Sequence, residues 1–420
     1  MKLLINICAH DGIMSHFAGV GTIVKRYIES TQLLLKKKNI NYTIQLFTPL
    51  YNKDSFGFSN STFIENQQRN NTQIYILSNG SNGKTAYGTK DNWYELSKNT
   101  ASIINKTCFK DYDHVITIAN DTPFAGLLEL INDAENHIKI WIPHSTVKIH
   151  EVDSAIENSS LLFQERLNWE EEAIKYINTH NKCYLGSTGR YIEKHLIDEY
   201  NLKKEKSIYI PNGEIIGKKT NYIENKECVD LFEQLKNEDS LIMTFGRAEE
   251  YKNLDSAMYL GNLLGIKSIV ITKPYFDGQP IVKKYKQIAE QTNSLLFIDV
   301  PFNFPHYIIN HFNKPIILLI PSKKEIVGLI INEIRKMNKD NVLIVANDIG
   351  GLSEQIDDGK DGVLVNLDNL NESANKIKKM FIKEKMIEMN NNSQKRLAKD
   401  YNFENIMDNF YKEILGGGYE

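Results

Sequence analysis

Ile208-Tyr209-Ile210-Pro211-Asn212-Gly213 is the stretch that divides the chain. Ser207 to Ile210 reads as a short strand, and Pro-Asn-Gly stops it, because proline fixes φ and Asn and Gly accept turn conformations. The same alternation of elements stands on both sides. Upstream, an apolar strand at Leu3 to Ile7 is followed by a glycine-containing loop and a helical pattern carried by Ile23, Tyr27 and Leu34. Further strands are expected at Tyr42 to Phe47, His114 to Ile118, Ile138 to Ile142 and Cys183 to Leu185. Downstream, apolar runs at Leu241 to Phe245, Ser268 to Thr272, Leu295 to Val300, Ile316 to Ile320, Val342 to Ala346 and Gly362 to Val365 alternate with helices. That pattern predicts an α/β chain of two Rossmann-like, doubly wound parallel-sheet domains facing a cleft. Such sheets bind ligands beyond the carboxyl ends of their strands, so the cleft is the expected active site.

Length agrees, since 420 residues exceed one ordinary core and suit two large domains. With 41% hydrophobic and 25% charged residues and a net charge of -3, the composition is that of a soluble protein with no nucleic-acid footprint. An anionic ligand must therefore meet local positive charge. Cys8, Cys108, Cys183 and Cys228 lie far apart, form no CxxC pair and read as buried reduced thiols. The amino terminus reaches His10-Asp11 too soon for a signal peptide, and no apolar run approaches a membrane span, so a cytoplasmic location is expected.

Two segments invite stronger readings. Asn79-Gly80-Ser81-Asn82-Gly83-Lys84-Thr85 looks like a phosphate loop, but Ser78 stands where its first glycine should be and no helix is evident after it. A polar surface loop is the reading taken across Asn60 to Asp91. The lysine-rich Lys376 to Lys385 has the charge for peripheral membrane contact, yet reads more simply as one solvated helix face.

The chemistry concentrates in the second half. Thr244-Phe245-Gly246-Arg247 closes a strand, and Lys252-Asn253 follows at the expected start of a helix. Arginine offers a planar fork to phosphate oxygens and lysine a compact charge, a pair suited to a diphosphate leaving group. Then Glu325-Ile326-Val327-Gly328-Leu329 leads through Ile330-Ile331-Asn332 to Glu333, a strand-end loop running into a helix start. At helical rise the two glutamates stand on the order of 12 Å apart, the span from a sugar across a diphosphate to a ribose. The amides around Gly328 and Leu329 would offer helix-start donors to phosphate. Two solvated glutamates flanking a helix start is the plainer alternative. No Asp-x-Asp pair is placed to hold a metal beside a diphosphate, and Asp357-Asp358 reads as part of a turn before Gly359.

In this order the motifs resemble the family-4 retaining glycosyltransferases of the GT-B fold. The resemblance takes in Ala18-Gly19-Val20-Gly21-Thr22, Pro143-His144-Ser145, Glu171-Glu172-Ala173, Gly186-Ser187-Thr188 and the run into Pro211-Asn212-Gly213. It continues through Gly246-Arg247, Lys252, the paired glutamates, Asn347 to Glu354, Asp358 to Val365 and Tyr401-Asn402-Phe403-Glu404. It implies an acceptor-side domain at 1–212, completed by a crossing helix at 402–420, and a nucleotide-sugar domain at 213–401. It also implies that Arg247 and Lys252 hold the diphosphate, Glu325 the donor sugar and Glu333 the ribose, with Gly328 and Leu329 adding backbone donors. Gly246 belongs to the same donor-binding set. Gly19 and Gly21 would let the first loop approach phosphates and acceptor, and His144 would lie beside the sugar. The implied reaction is sugar transfer from a nucleoside diphosphate sugar to an acceptor hydroxyl, with no metal and no cofactor beyond the donor.

The chain departs from the family at Ile326-Val327, at Ile269 to Pro274, which lacks the usual glycine turn, and at Arg335 to Asn341, which lacks a Gly-x-Pro. Donor sugar, base and acceptor identity are therefore left open. A sugar-nucleotide epimerase and a non-catalytic glycosyltransferase-like subunit are the rival readings.

Overall fold

The computed structural model describes residues 1–15, 19–55, 57–58, 63–64, 67, 70, 72–150, 161–217, 225–416 and 419. Ala18 of the first glycine loop, part of the Asn60 to Asp91 segment, and residues 417, 418 and 420 of the expected final helix lie outside them. The chain splits into two compact units, Met1–Ile215 with Asn402–Glu420, and Ile216–Tyr401.

The first unit holds β1 (Lys2–Cys8), α1 (Gly19–Lys37), β2 (Asn41–Pro49), β3 (Thr72–Leu77), α2 (Lys90–Ile104), β4 (His114–Asn120), β5 (His137–Ile142), α3 (Leu161–Thr179), β6 (Cys183–Ser187) and β7 (Ser207–Tyr209). Its seven strands are ordered β3-β2-β1-β4-β5-β6-β7, and every pairing is parallel. The second unit holds β8 (Leu241–Arg247), α4 (Asp255–Leu264), β9 (Lys267–Lys273), β10 (Leu295–Ile298), β11 (Ile316–Ile320), α5 (Leu329–Met337), β12 (Val342–Asn347), α6 (Gly350–Gln355), β13 (Val363–Val365), α7 (Leu370–Met380) and α8 (Lys383–Asp400). Its six strands are ordered β10-β9-β8-β11-β12-β13, again all parallel. α9 (Phe403–Leu415) returns to the first unit.

The second sheet shows why its strands are continuous apolar runs. Side chains of a strand alternate between faces, and both faces here are covered. Leu241, Met243, Ile316, Leu318, Ile320, Val342 and Ile344 belong to one core cluster. Their neighbours Ile242, Ile317, Leu319, Leu343 and Val345 belong to another. One sheet thus separates two cores, the arrangement of a parallel sheet with helices on either side.

α9 closes the first unit against α1. Tyr27 and Phe403 pack with ring centroids 5.1 Å apart, the hydroxyls of Thr31 and Tyr411 hydrogen-bond at 3.0 Å, and Lys38 pairs with Asp408 at 3.2 Å. The Phe403 amide donates to the Glu214 carbonyl, and the buried Glu214 carboxylate pairs with Arg26.

Several expectations need correction. β3 was not expected; it is the sheet's edge, and Thr72-Gln73-Ile74-Tyr75-Ile76-Leu77 is only partly buried, so its signal was lost in a polar segment. A helix does follow the phosphate-loop look-alike, α2, although Asn79 and Ser81 spend their side chains on Thr85 and on each other. Lys376 to Lys385 is not one helix face: it spans the end of α7, a break at Phe381-Ile382, and the start of α8. Cys108 is exposed, while Cys8, Cys183 and Cys228 are buried. In the turn after α6, Asp358 accepts from the Leu364 amide at 2.9 Å and pairs with Lys376 at 2.6 Å, while Gly359 takes φ +74°. Among the described residues no helix is long and apolar enough to cross a membrane, and no cluster of three His, Cys, Asp or Glu is placed to hold a metal ion.

Candidate active site

β8 and β11 are neighbours in the second sheet, so the loops leaving their carboxyl ends meet. Three bonds stitch them. Lys252 Nζ donates to Glu325 Oε2 at 2.8 Å, the Lys323 amide to the Tyr251 carbonyl at 2.7 Å, and Asn253 Nδ2 to the Pro321 carbonyl at 3.2 Å. Lys252 lies on a single 3₁₀ turn, Glu250–Lys252, ahead of α4 rather than at its start. Asn253 follows in the left-handed region at φ 51°, a conformation asparagine tolerates. Lys252 and Glu325 are each 21% exposed, so the pair is neither solvated freely nor sealed in the core.

Arg247 ends β8 with its guanidinium held by aromatic hydroxyls. It donates to the Tyr251 hydroxyl at 2.8 Å and to that of Tyr275, and stands 3.2 Å from the Glu249 carboxylate. Tyr275 donates in turn to Glu249 at 2.6 Å. Burial disfavours the guanidinium charge, but Tyr251 and Glu249 outweigh it and raise the Arg247 pKa. Neither tyrosine was singled out from sequence. Tyr251 sits inside a charged run and Tyr275 beyond β9, so only the folded loops reveal that both serve one arginine.

A Cβ built on Gly246 would meet only Leu254 Cδ2, at an ordinary 3.7 Å, so nothing in the described protein demands glycine there. Gly328 is different. Its Cβ would stand 2.6 Å from Leu352 Cδ2, and its amide donates to Gln355 Oε1 at 2.8 Å. The Leu329 amide bonds the Val327 carbonyl at 3.1 Å. The two helix-start donors expected to serve phosphate thus bond the protein itself, Gly328 because α6 packs onto the loop before α5 and Leu329 within its own turn. The same packing places Gly351 so that its amide donates to the Glu325 carbonyl at 2.9 Å. A Cβ on Gly351 would fall 1.7 Å from the Ile326 carbonyl oxygen.

Glu325 precedes α5, so helical rise describes only the second half of the path from it to Glu333 on the first turns of that helix. Glu333 is half-buried and electrostatically coupled to His306, whose ring lies 6.0 Å from that of Phe245. Burial lowers the His306 pKa, and Glu333 opposes the shift.

In the first unit, Gly19 is exposed at the start of α1, and Gly21 is buried two residues on. Gly21 packs inward: its Cβ would meet Gly12 Cα at 2.4 Å, and its amide donates to Asp11 Oδ2 at 3.2 Å. The glycine requirement at Gly21 is therefore a backbone crossing within the protein. His144 follows β5 and is partly exposed, with Nε2 3.0 Å from Asn120 Oδ1. Burial pushes its pKa down to about 4. His10 and Asp121, beyond β1 and β4, stand 3.8 Å apart, and Asp121 adopts φ 67°, ψ 177°, a region nearly reserved for glycine. Asn120, Asp121 and His10 were not picked out from sequence, although Asn120-Asp121 directly ends a strand, where ligand-facing residues gather.

Residues 229–399, all within the second unit, match the family model described as Glycosyl transferases group 1. Comparison by sequence with curated proteins gives no match. Among solved structures, the chain is similar to sucrose-phosphate synthase from Thermosynechococcus elongatus, with TM-score 0.70, 15% identity and 99% of each chain covered. It is also similar to HepE of Anabaena in complex with UDP, with TM-score 0.66, 15% identity and 99% and 100% of the two chains covered. The catalytic domain of starch synthase IV from Arabidopsis thaliana, bound to ADP and acarbose, gives TM-score 0.66 at 14% identity with 99% of each chain covered. The architecture is that of the GT-B glycosyltransferases, two parallel-sheet α/β units.

Proposed function

We propose that this chain is a retaining glycosyltransferase that moves a hexosyl group from a nucleoside diphosphate sugar to an acceptor hydroxyl without a metal. The observation that carries the reading is the joined pair Lys252 and Glu325, with Arg247 on the adjacent strand end, all on the carboxyl edge of the sheet within the residues that match the group 1 model. In this reading the Lys252 ammonium and the Arg247 guanidinium take the diphosphate, the first as a point charge and the second as a fork. Glu325, already bonded to Lys252, accepts hydroxyls of the sugar next to it, and Glu333 those of the ribose. Gly246 lets the nucleotide approach the backbone of β8. Since the Gly328 and Leu329 amides are spoken for, leaving-group stabilisation falls to the side-chain cations.

The step balances simply. The bond from the anomeric carbon to the phosphate oxygen breaks, the acceptor oxygen bonds the same face of that carbon, and its proton passes to the departing phosphate. The protein's part is positioning and charge stabilisation. Names of similar structures support the donor class: HepE is described with UDP and UDP-glucose, and starch synthase IV with ADP. The amino-terminal unit, with Gly19, Gly21 and His144, is assigned to the acceptor and the sugar side.

A screen tests this. The purified chain is heated with UDP-, ADP- and GDP-sugars, then assayed for nucleoside diphosphate release with simple sugar acceptors, with and without EDTA, and the product anomer is read by NMR. Acceptor-dependent release that persists in EDTA, with the donor's anomeric configuration kept, is expected. Donor conversion without release would favour an epimerase, and absence of both binding and release a non-catalytic subunit.

A further inference from the structure

We propose that Asn120 is a positioning residue for His144, fixing its imidazole as the tautomer protonated on Nε2 and leaving Nδ1 as a hydrogen-bond acceptor for a sugar hydroxyl. The second half of that statement rests on the reading of His144 as a sugar-side residue; the first half does not.

Asn120 is the last residue of β4 and is fully buried. Two neighbours decide which way its amide faces. The Cys8 carbonyl, 3.1 Å from Asn120 Nδ2, can only accept, so the NH₂ group must point there. That turns Oδ1 toward His144 Nε2, 3.0 Å away. A carbonyl oxygen has no proton to give, so Nε2 must supply the one in this bond. Burial disfavours the imidazolium; Asp121 pulls toward the cation and His10 against it, and the ring stays neutral near pH 7. A neutral ring has a single N–H. With that proton on Nε2, Nδ1 presents a lone pair and has no hydrogen-bond partner among the described residues.

The consequence is chemical discrimination at one atom. A lone pair accepts from a hydroxyl and repels a phosphate oxygen, so this imidazole would favour a sugar O–H over a phosphate oxygen. A hydroxyl side chain at position 120 could serve either tautomer by rotating, whereas an amide pinned by a backbone carbonyl cannot.

The test uses the full chain labelled with ¹⁵N-histidine. Long-range ¹H–¹⁵N correlation reports the tautomer of each ring, and His144→Asn identifies the His144 signals. The expected wild-type result is a neutral, Nε2-protonated ring between pH 6 and 8. In Asn120→Ala the pattern should become a mixture of tautomers, and the KM for the donor should rise about tenfold, the loss of one oriented hydrogen bond, with a smaller change in kcat. Asn120→Asp should keep the Nε2–H form while moving the ring's titration upward, because a carboxylate accepts the same proton and favours the cation. An Nδ1-protonated wild-type ring, or an unchanged pattern in Asn120→Ala, overturns the proposal. The wild-type spectrum decides by itself if a variant does not fold. An Nε2-protonated ring in a protein that releases no nucleoside diphosphate would count against the proposed function and leave the tautomer assignment standing.

Discussion

Replacing Lys252 with methionine separates a site from a staple. The side chain keeps most of its length and loses its charge, so the change removes the 2.8 Å bond to Glu325 and the weaker contact of the ammonium with the Tyr251 ring, 5.1 Å from its centroid. If the pair only held two loops together, its worth would be that of a partly exposed ion pair, about 0.2–1 kcal/mol. In a unit of this size 1 kcal/mol moves the melting temperature by roughly 2–4 °C. The Lys323 and Asn253 bonds between the same loops persist, which keeps the loss near the lower end. If Lys252 instead meets the leaving diphosphate, the loss is a charge-assisted hydrogen bond strongest in the transition state. That contributes about 1.5–3 kcal/mol, or roughly 10- to 150-fold in kcat/KM. Lys252→Met should therefore melt within about 4 °C of wild type and release nucleoside diphosphate at least roughly tenfold more slowly. Differential scanning fluorimetry and a coupled diphosphate-release assay read the two quantities on one preparation. Turnover intact, with the melting temperature lowered by no more than about 4 °C, would show that the pair is structural and would refute the assignment.

Tyr275→Phe should raise the donor KM by about an order of magnitude while leaving the melting temperature close to wild type. It removes the hydroxyl that joins Arg247 to Glu249, and a KM unchanged in steady-state kinetics would mean that Arg247 needs no such holder. Gly351→Ala should damage stability and activity together, because its Cβ would collide with the Ile326 carbonyl at 1.7 Å and push α6 off the loop that carries Glu325. A soluble, fully active variant would contradict that packing. Burial lowers the pKa of His137 to about 3, so its ring stays neutral when folded and gains a proton when unfolded. Stability of the first unit is then complete above the unfolded value near pH 6.5 and is lost as pH falls from there toward 3, by about 2 kcal/mol at pH 5 from this residue. Urea unfolding at pH 7 and pH 5 should show that difference shrinking in His137→Gln. Tryptophan emission reports on the right unit, since Trp93, Trp141 and Trp169 all lie within it.

What the sequence disclosed follows from what each element buries. Strands buried on both faces, such as Ile316-Ile317-Leu318-Leu319-Ile320, announce themselves as unbroken apolar runs, and their edges were misjudged by only a few residues. β3 escaped because an edge strand presents polar side chains to solvent and lay inside an Asn-rich stretch. At the site, Arg247, Lys252 and Glu325 were visible as motif residues, but the bond between the last two joins positions 73 apart in sequence. The environments of Gly21 and Gly328 were not legible either. Gly21 was taken as a glycine that admits a ligand and Gly328 as a backbone donor to phosphate, and both are points where the chain packs against itself, at Gly12 and at Leu352 and Gln355. Spacing reveals that a side chain is small; it does not reveal which neighbour requires it.

The route of α9 bears on how the protein is made. The first unit needs Phe403 against Tyr27 and the 402–403 backbone against Glu214, whereas the second unit is one uninterrupted stretch of chain. On the ribosome, residues 1–215 emerge early yet lack the helix that covers α1, and they wait while 216–401 are synthesised and close on themselves. The half begun first is finished last. Translation speed across the second unit then sets how long Tyr27 and its neighbours stand uncovered, and a nascent chain halted before residue 402 leaves that apolar face open to chaperones or to aggregation.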